Sequence, residues 1–176
     1  MEIKGSNPDF LFQSVTLIGI GLIGSSIARA IKKTRCIVKN LVVTDADKLV
    51  RAKARKLGLA DSVEDDLCAA VMGADCVILC TPIGQYAEIM ESISGHLKPG
   101  CIVSDVGSVK RAPITDMSPY ISESIHFVPG HPIAGTEKSG PESGFAELFE
   151  GRYWLLTPVV GTNPQAVNKM RGLFEA

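Results

Sequence analysis

The sequence predicts an α/β fold, a doubly wound and mostly parallel sheet with helices on both faces, and three observations carry that reading. Short apolar runs alternate with segments of helical periodicity, the order expected of strands joined by crossover helices. Right-handed crossovers then place helices on both sides of the sheet. Gly19, Asp45, Thr81, Asp105 and His131 each fall at or just after the end of an apolar run, where such sheets bind ligands. Finally, the 176 residues are 45% hydrophobic and 21% charged, with a net charge of −1, an ordinary globular composition with enough chain for one substantial core.

The elements follow in order. Ser14 to Ile18 is an apolar run that stops at Gly19 and reads as a buried strand. From Leu22 the period changes: Ile23, Ile27, Ala30 and Ile31 share a helical face, with Arg29, Lys32 and Lys33 off it, up to about Thr34. Leu41 to Thr44 is a second strand, closed by Asp45. Lys48 to Leu57 is an amphipathic helix stopped by Gly58. Asp66 to Met72 reads as a short helix, Cys76 to Cys80 as a strand, Tyr86 to Ile93 as a helix, and Lys98-Pro99-Gly100 as a turn. Cys101 to Ser104 is the next strand, followed by a helix from Lys110 or Pro113 to Met117. His126 to Val128 is a short strand. The stretch from Pro129 to Gly144 reads as a Gly-, Pro- and Ser-rich loop, and Tyr153 to Leu156 as a last strand. Asn163 and Pro164 start a final helix whose apolar stripe, Val167, Met170 and Phe174, needs cover. Residues 1–161 are therefore expected to form the binding domain. Residues 162–176 are expected to begin a connecting helix toward a helical dimerisation domain absent from this chain.

Several function classes are disfavoured. No run of Lys or Arg exceeds two residues, so there is no electrostatic footprint for nucleic acid. No apolar run approaches the ~18 residues that span a bilayer, and MEIKGSNPDF lacks a secretory apolar stretch; the expected compartment is the cytoplasm. Cys36, Cys68, Cys76, Cys80 and Cys101 form no CxxC pair, and the three in or beside strands read as reduced core residues. The three histidines are not clustered with them, so no metal site is expected.

Gly19-Ile20-Gly21-Leu22-Ile23-Gly24 fits GxGxxG. Its context gives the pattern weight: a strand before, a helix after, and an acidic residue about 20 positions on. Gly19 allows the tight turn, Gly21 lets a pyrophosphate approach the backbone, and Gly24 lets helix and strand pack closely. Free N–H groups at the helix start favour the phosphates. Asp45 would accept from the ribose hydroxyls and repel a 2′-phosphate, which selects NAD over NADP; capping the next helix is its alternative role. These features define a Rossmann dinucleotide-binding fold. Thr81-Pro82-Ile83 follows the next long strand, where a cofactor contact and a plain turn are both open.

Two further clusters stand out: Asp105-Val106-Gly107-Ser108-Val109-Lys110, and Gly130-His131-Pro132-Ile133-Ala134-Gly135-Thr136-Glu137-Lys138-Ser139-Gly140. With the glycine fingerprint, DVGSVK and GHPIAGTEKSG resemble the prephenate/arogenate (cyclohexadienyl) dehydrogenase family over nearly the whole chain. That resemblance implies NAD-dependent oxidative decarboxylation of prephenate to 4-hydroxyphenylpyruvate, or of arogenate to tyrosine, in tyrosine biosynthesis. It implies that His131 hydrogen-bonds the ring hydroxyl and takes its proton, a task suited to neutral imidazole. Ser108 would be a second partner of the hydroxyl or of the cofactor, or else an N-cap. Gly107 would flank the cofactor, and Thr136 and Glu137 would line the substrate entrance, although Glu137 and Lys138 also fit a solvated charge pair. Lys110 would bind a carboxylate or ride the following helix. The resemblance further implies a homodimer in the full-length protein, with an arginine for the substrate carboxylate supplied from the missing domain. Other readings remain: a Rossmann reductase of the β-hydroxyacid dehydrogenase type, which lacks the GHPIAGTEKSG loop, or a non-catalytic NAD-binding module.

Overall fold

A computed structural model describes residues 10–34 and 36–176. Six parallel strands form the main sheet: β1 (Phe12–Ile18), β2 (Val38–Thr44), β3 (Ser62–Val63), β4 (Cys76–Leu79), β5 (Ile102–Asp105) and β6 (His126–Phe127). Their spatial order is β3-β2-β1-β4-β5-β6. The order reverses between β1 and β4, so a crevice opens beyond their carboxyl ends. The helices are α1 (Leu22–Thr34), α2 (Lys48–Lys56), α3 (Leu67–Val71), α4 (Tyr86–Ile93), α5 (Arg111–Met117) and α6 (Pro164–Glu175).

The central strands are apolar throughout because both faces are covered. Alternate residues of β4 serve two cores. Cys76 and Ile78 pack with Phe12, Leu17, Ile27, Leu41 and Met170. Val77 and Leu79 pack with Tyr86, Met90, Ile93, Val103 and Met117 on the other side. Burial pushes the Cys101 thiol up to about 12 and drives those of Cys76 and Cys80 well above their ordinary value, so these cysteines behave as inert core residues.

Local chemistry sets the helix ends. Asp47 caps α2 by accepting from the Leu49 N–H (2.8 Å), and Asp66 caps α3 by accepting from the Ala69 N–H (2.7 Å). Asp75, just before β4, accepts from the Gln13 and Ser14 N–H groups (2.6 and 2.8 Å) and pairs with Lys98 (2.6 Å). Burial pushes its carboxyl up, but Lys98 and the two amides outweigh that and hold it below the ordinary range.

Three expectations change. The two-residue β3 carries no apolar run and was not legible as a strand. The stretch after Pro129 is not wholly loop: β7 (Gly130–Pro132) pairs antiparallel with β8 (Trp154–Leu156) in a separate ribbon, with His131 opposite Leu155. The stripe on α6 is covered within the described residues. Ala166, Met170 and Leu173 are buried in the first core, Met170 Sδ lies 3.6 Å from Cys76 Sγ, and the Phe174 ring stacks on Trp154 at 3.7 Å.

Candidate nucleotide and chemical site

The glycine turn sits where β1 ends, at the reversal of strand order. Gly19 adopts φ +93°, and a side chain there would lie 2.7 Å from Thr81 Cγ2 and 2.9 Å from the Cys80 backbone carbon. A Cβ on Gly24 would stand 2.1 Å from the Gly19 carbonyl oxygen. These two glycines are demanded by packing between the turn, α1 and β4. Gly21 is different: nothing lies within 4 Å of where its Cβ would be. It leaves open the approach that a pyrophosphate needs at the start of α1. Ile20 and Leu22 are buried and Ile23 is half-buried, so their side chains hold the turn while their backbone faces the crevice.

Asp45 supports the same turn. Its Oδ2 accepts from the Ile20 N–H (2.7 Å) and its Oδ1 from the Asp47 N–H (2.9 Å). The helix cap is Asp47, so the capping alternative for Asp45 does not hold. Asp45 is only half-buried, and each carboxylate oxygen keeps a lone pair for a hydroxyl. Across the crevice, Thr81 Oγ1 is buried and has no hydrogen-bond partner among the described residues. Such an atom is commonly completed by a ligand or water. Pro82 is exposed, and Ile83 opens a 3-10 turn over Ile83–Gln85. The residues fit a dinucleotide: a side-chain-free cradle, free amides at a helix start, and a carboxylate at the end of the second strand.

The chemical half is organised by Asp105, which ends β5 and is fully buried. Its Oδ2 accepts from the Gly107 N–H (2.9 Å) and from Lys110 Nζ (2.5 Å), while Oδ1 accepts from the Gly130 N–H (3.2 Å). Lys110 Nζ also donates to the Gly130 carbonyl (2.5 Å). One buried ion pair thereby ties the loop after β5 to the first residue of β7. Burial pulls the Lys110 ammonium below its ordinary range, and Asp105 partly restores it. Lys110 is therefore already paired within the protein, neither a free anion-binder nor a passive helix residue.

Ser108 and His131 each lie one residue from a group on this carboxylate. Ser108 is exposed and does not cap α5, whose N-cap residue is Lys110. His131 is half-buried on β7, and its imidazole makes no hydrogen bond among the described residues. Gly107 is buried, and a side chain there would meet Ile83 and Asp105, each at 2.9 Å. The cofactor-side turn after β4 thus abuts the loop bearing Ser108. Thr136 and Glu137 are exposed on the following loop, where Thr136 Oγ1 accepts from the Lys138 N–H (3.2 Å). Glu137 and Lys138 form no ion pair among the described residues.

Sequence reasoning missed the far anchor of this loop. Arg29 Nη1 donates to the Pro141 carbonyl (3.0 Å), and the Phe145 N–H donates to Ser26 Oγ (3.1 Å). A Cβ on Gly144 would lie 2.2 Å from Ser25 Oγ. Residues 141–149 therefore strap across α1 and bury Ser25 and Ser26, which periodicity did not place on the covered face. The only available signal was Gly144 in a small-residue stretch. Neither of two sizeable cavities opens on the glycine turn. One, of about 570 Å³, lies between α1, Phe149, Trp154 and Phe174. The other, of about 480 Å³, is lined by Ile133, Thr136, Phe145, Leu148 and Arg152. The nucleotide crevice is instead the one set by the reversal of strand order between β1 and β4, beyond their carboxyl ends.

Fold and groove together define a doubly wound nucleotide-binding domain. Residues 27–176 match the family described as prephenate dehydrogenase, nucleotide-binding domain, and the chain belongs to that family. It is 41% identical over 165 residues to a cyclohexadienyl dehydrogenase of Zymomonas mobilis, covering 94% of this chain and 56% of that protein. Among solved structures it resembles an Aquifex aeolicus prephenate dehydrogenase in complex with hydroxyphenyl propionate and NAD+ (TM-score 0.84, 30% identity, 93% of this chain and 56% of that one). It likewise resembles a Synechocystis arogenate dehydrogenase (TM-score 0.84, 31% identity, 93% and 56%). The chain thus spans a little over half the length of each of these proteins.

Proposed function

We propose that this chain is the NAD-binding and proton-abstracting part of an enzyme that oxidises and decarboxylates prephenate or arogenate. The observation that carries the reading is the Asp105 carboxylate, which holds the Ser108 loop and the His131 strand together beside the glycine turn. NAD, when bound, supplies the hydride acceptor. The backbone from Gly19 to Gly24 takes the pyrophosphate, and Asp45 the ribose hydroxyls. Thr81, Pro82, Ile83 and Gly107 flank the nicotinamide half.

The chain's own chemistry centres on His131. Its unpartnered imidazole accepts the proton of the ring hydroxyl, which pushes electron density toward the carbon that loses hydride. Ser108 donates to or accepts from the same hydroxyl and fixes its direction. Thr136 and Glu137 stand at the substrate entrance. Aromatisation on loss of carbon dioxide supplies driving force, so positioning is the protein's main task. In the longer protein a helical domain following residues 162–176 would complete the site, supply the carboxylate-binding arginine and form a homodimer. We place the longer enzyme in the cytoplasm; no helix among the described residues is long and apolar enough to cross a membrane.

Calorimetric titration with NAD and NADP, followed by NADH absorbance with prephenate and with arogenate, tests this reading. NAD is expected to bind and NADP to bind at least tenfold more weakly, as a 2′-phosphate meets Asp45; equal affinities would remove Asp45 from cofactor selection. In the longer protein, His131→Asn should lower turnover about 100-fold or more with NAD affinity within about threefold. Unchanged turnover would remove His131 from the mechanism.

A further inference from the structure

The β7–β8 ribbon has two faces of opposite character. On the inner face Gly130 and Pro132 are buried, and Trp154 and Leu156 pack against the first core. On the outer face His131 stands directly opposite Leu155, and Ile133 is joined to Tyr153 through its N–H (2.8 Å to the carbonyl). Directly opposed residues of an antiparallel pair share a face, with Cβ atoms roughly 4.5–5.5 Å apart. The imidazole therefore stands at the edge of an apolar patch. Leu155 is 48% exposed, Ile133 45% and Tyr153 80%. Leu155 on the ribbon, with Ile133 and Tyr153 just beyond its ends, therefore forms a contiguous exposed apolar strip beside His131, and contiguous patches of this kind mark binding surfaces.

The patch has an occupant of matching chemistry. A cyclohexadienol presents a flat apolar ring with a hydroxyl at one end. If His131 takes the proton of that hydroxyl, the ring must extend along whatever lies beside the imidazole, and on this face that is Leu155. We propose that Leu155, rimmed by Tyr153 and Ile133, is the shelf on which the substrate's six-membered ring rests, and that it sets the ring's approach to His131. This rests on the assignment of His131 above. Leu155 offers neither charge nor hydrogen bond, so it contributes through contact area and shape alone. Shortening it should weaken ring binding, and an unbranched side chain of similar volume should serve in its place.

The test is an NMR titration of the longer protein saturated with NAD, in which the substrate site is complete, carrying labelled leucine methyls and histidine ring carbons, with hydroxyphenylpropionate as the ring probe. The Leu155 methyl and His131 ring signals should move together with one dissociation constant. Leu155→Ala should raise that constant roughly tenfold, Leu155→Met should leave it within about threefold, and NAD affinity should stay unchanged in both. Movement of His131 with Leu155 methyls unmoved would overturn the shelf and leave the His131 assignment standing. Movement of neither signal would overturn both.

Discussion

Between Ile18 and Asp45 the protein builds its nucleotide turn from rules that act along the chain. Between Asp105 and His131 it builds its chemical loops from contacts that act across it. In the first region a positive-φ glycine, a helix start and the carboxylate ending the next strand suffice, and the glycines are set by backbone atoms a few residues away or on the adjoining strand. In the second region Asp105 holds an N–H that lies 25 residues on, and Lys110 holds a carbonyl 20 residues on. The difference predicts that the two halves will tolerate change differently. A turn constrained by sterics fails at single atoms, whereas loops held by one buried ion pair fail together.

The same difference governs what could be read from sequence. The alternation of strands and helices, the glycine turn and its acidic partner were legible because each leaves a short-range signature. The role of Asp105 as anchor was not, since an aspartate ending a strand looks the same whether it meets a ligand, a helix start or a lysine. β7 was hidden for a related reason. Gly130-His131-Pro132 has a loop's composition and becomes a strand only because β8, more than twenty residues on, offers it a partner. The cover on α6 was likewise a tertiary fact. Its stripe was visible, but that Cys76 and Trp154 would meet it was not.

The largest expected effect lies in the long-range half. Lys110→Met leaves Asp105 fully buried without its countercharge and should cost about 3–5 kcal/mol in chemical denaturation. Adding Asp105→Asn removes the stranded charge and keeps an acceptor for one of the two glycine amides, so the double variant should be more stable than Lys110→Met alone. A single variant within about 0.5 kcal/mol of the parent would show that the pair does not organise these loops.

A smaller effect, and a split one, is expected in the turn. Gly24→Ala drives a methyl group against the Gly19 carbonyl and should cost about 1–3 kcal/mol through overpacking. Gly21→Ala meets no protein atom, so its stability should change by less than about 0.5 kcal/mol. Its NAD affinity should nonetheless fall at least tenfold, because the methyl group occupies the approach reserved for the pyrophosphate. Calorimetry on both variants beside a thermal melt separates the two demands. Retained NAD affinity in Gly21→Ala would place the pyrophosphate elsewhere.

The smallest effect sharpens the division of labour between two neighbouring carboxylates. Asp47 caps α2 through the Leu49 N–H, while Asp45 turns back to the Ile20 N–H of the glycine turn. Asp47→Ala should therefore cost about 1 kcal/mol, read as a fall of about 2–4 °C in Tm for a chain of this size. NAD affinity should stay within about twofold, because the Asp47 carboxylate is bound to the Leu49 N–H of its own helix and not to the glycine turn. Asp45→Ala should lower NAD affinity roughly tenfold or more, since it removes a charged acceptor of hydroxyl hydrogen bonds and releases the amide that fixes the turn. Two aspartates separated by one alanine thus serve different masters: one answers to the helix it begins, the other to the strand it ends. An Asp47 variant that lost the cofactor while Asp45→Ala kept it would reverse that assignment and move the ribose contact two residues along the chain.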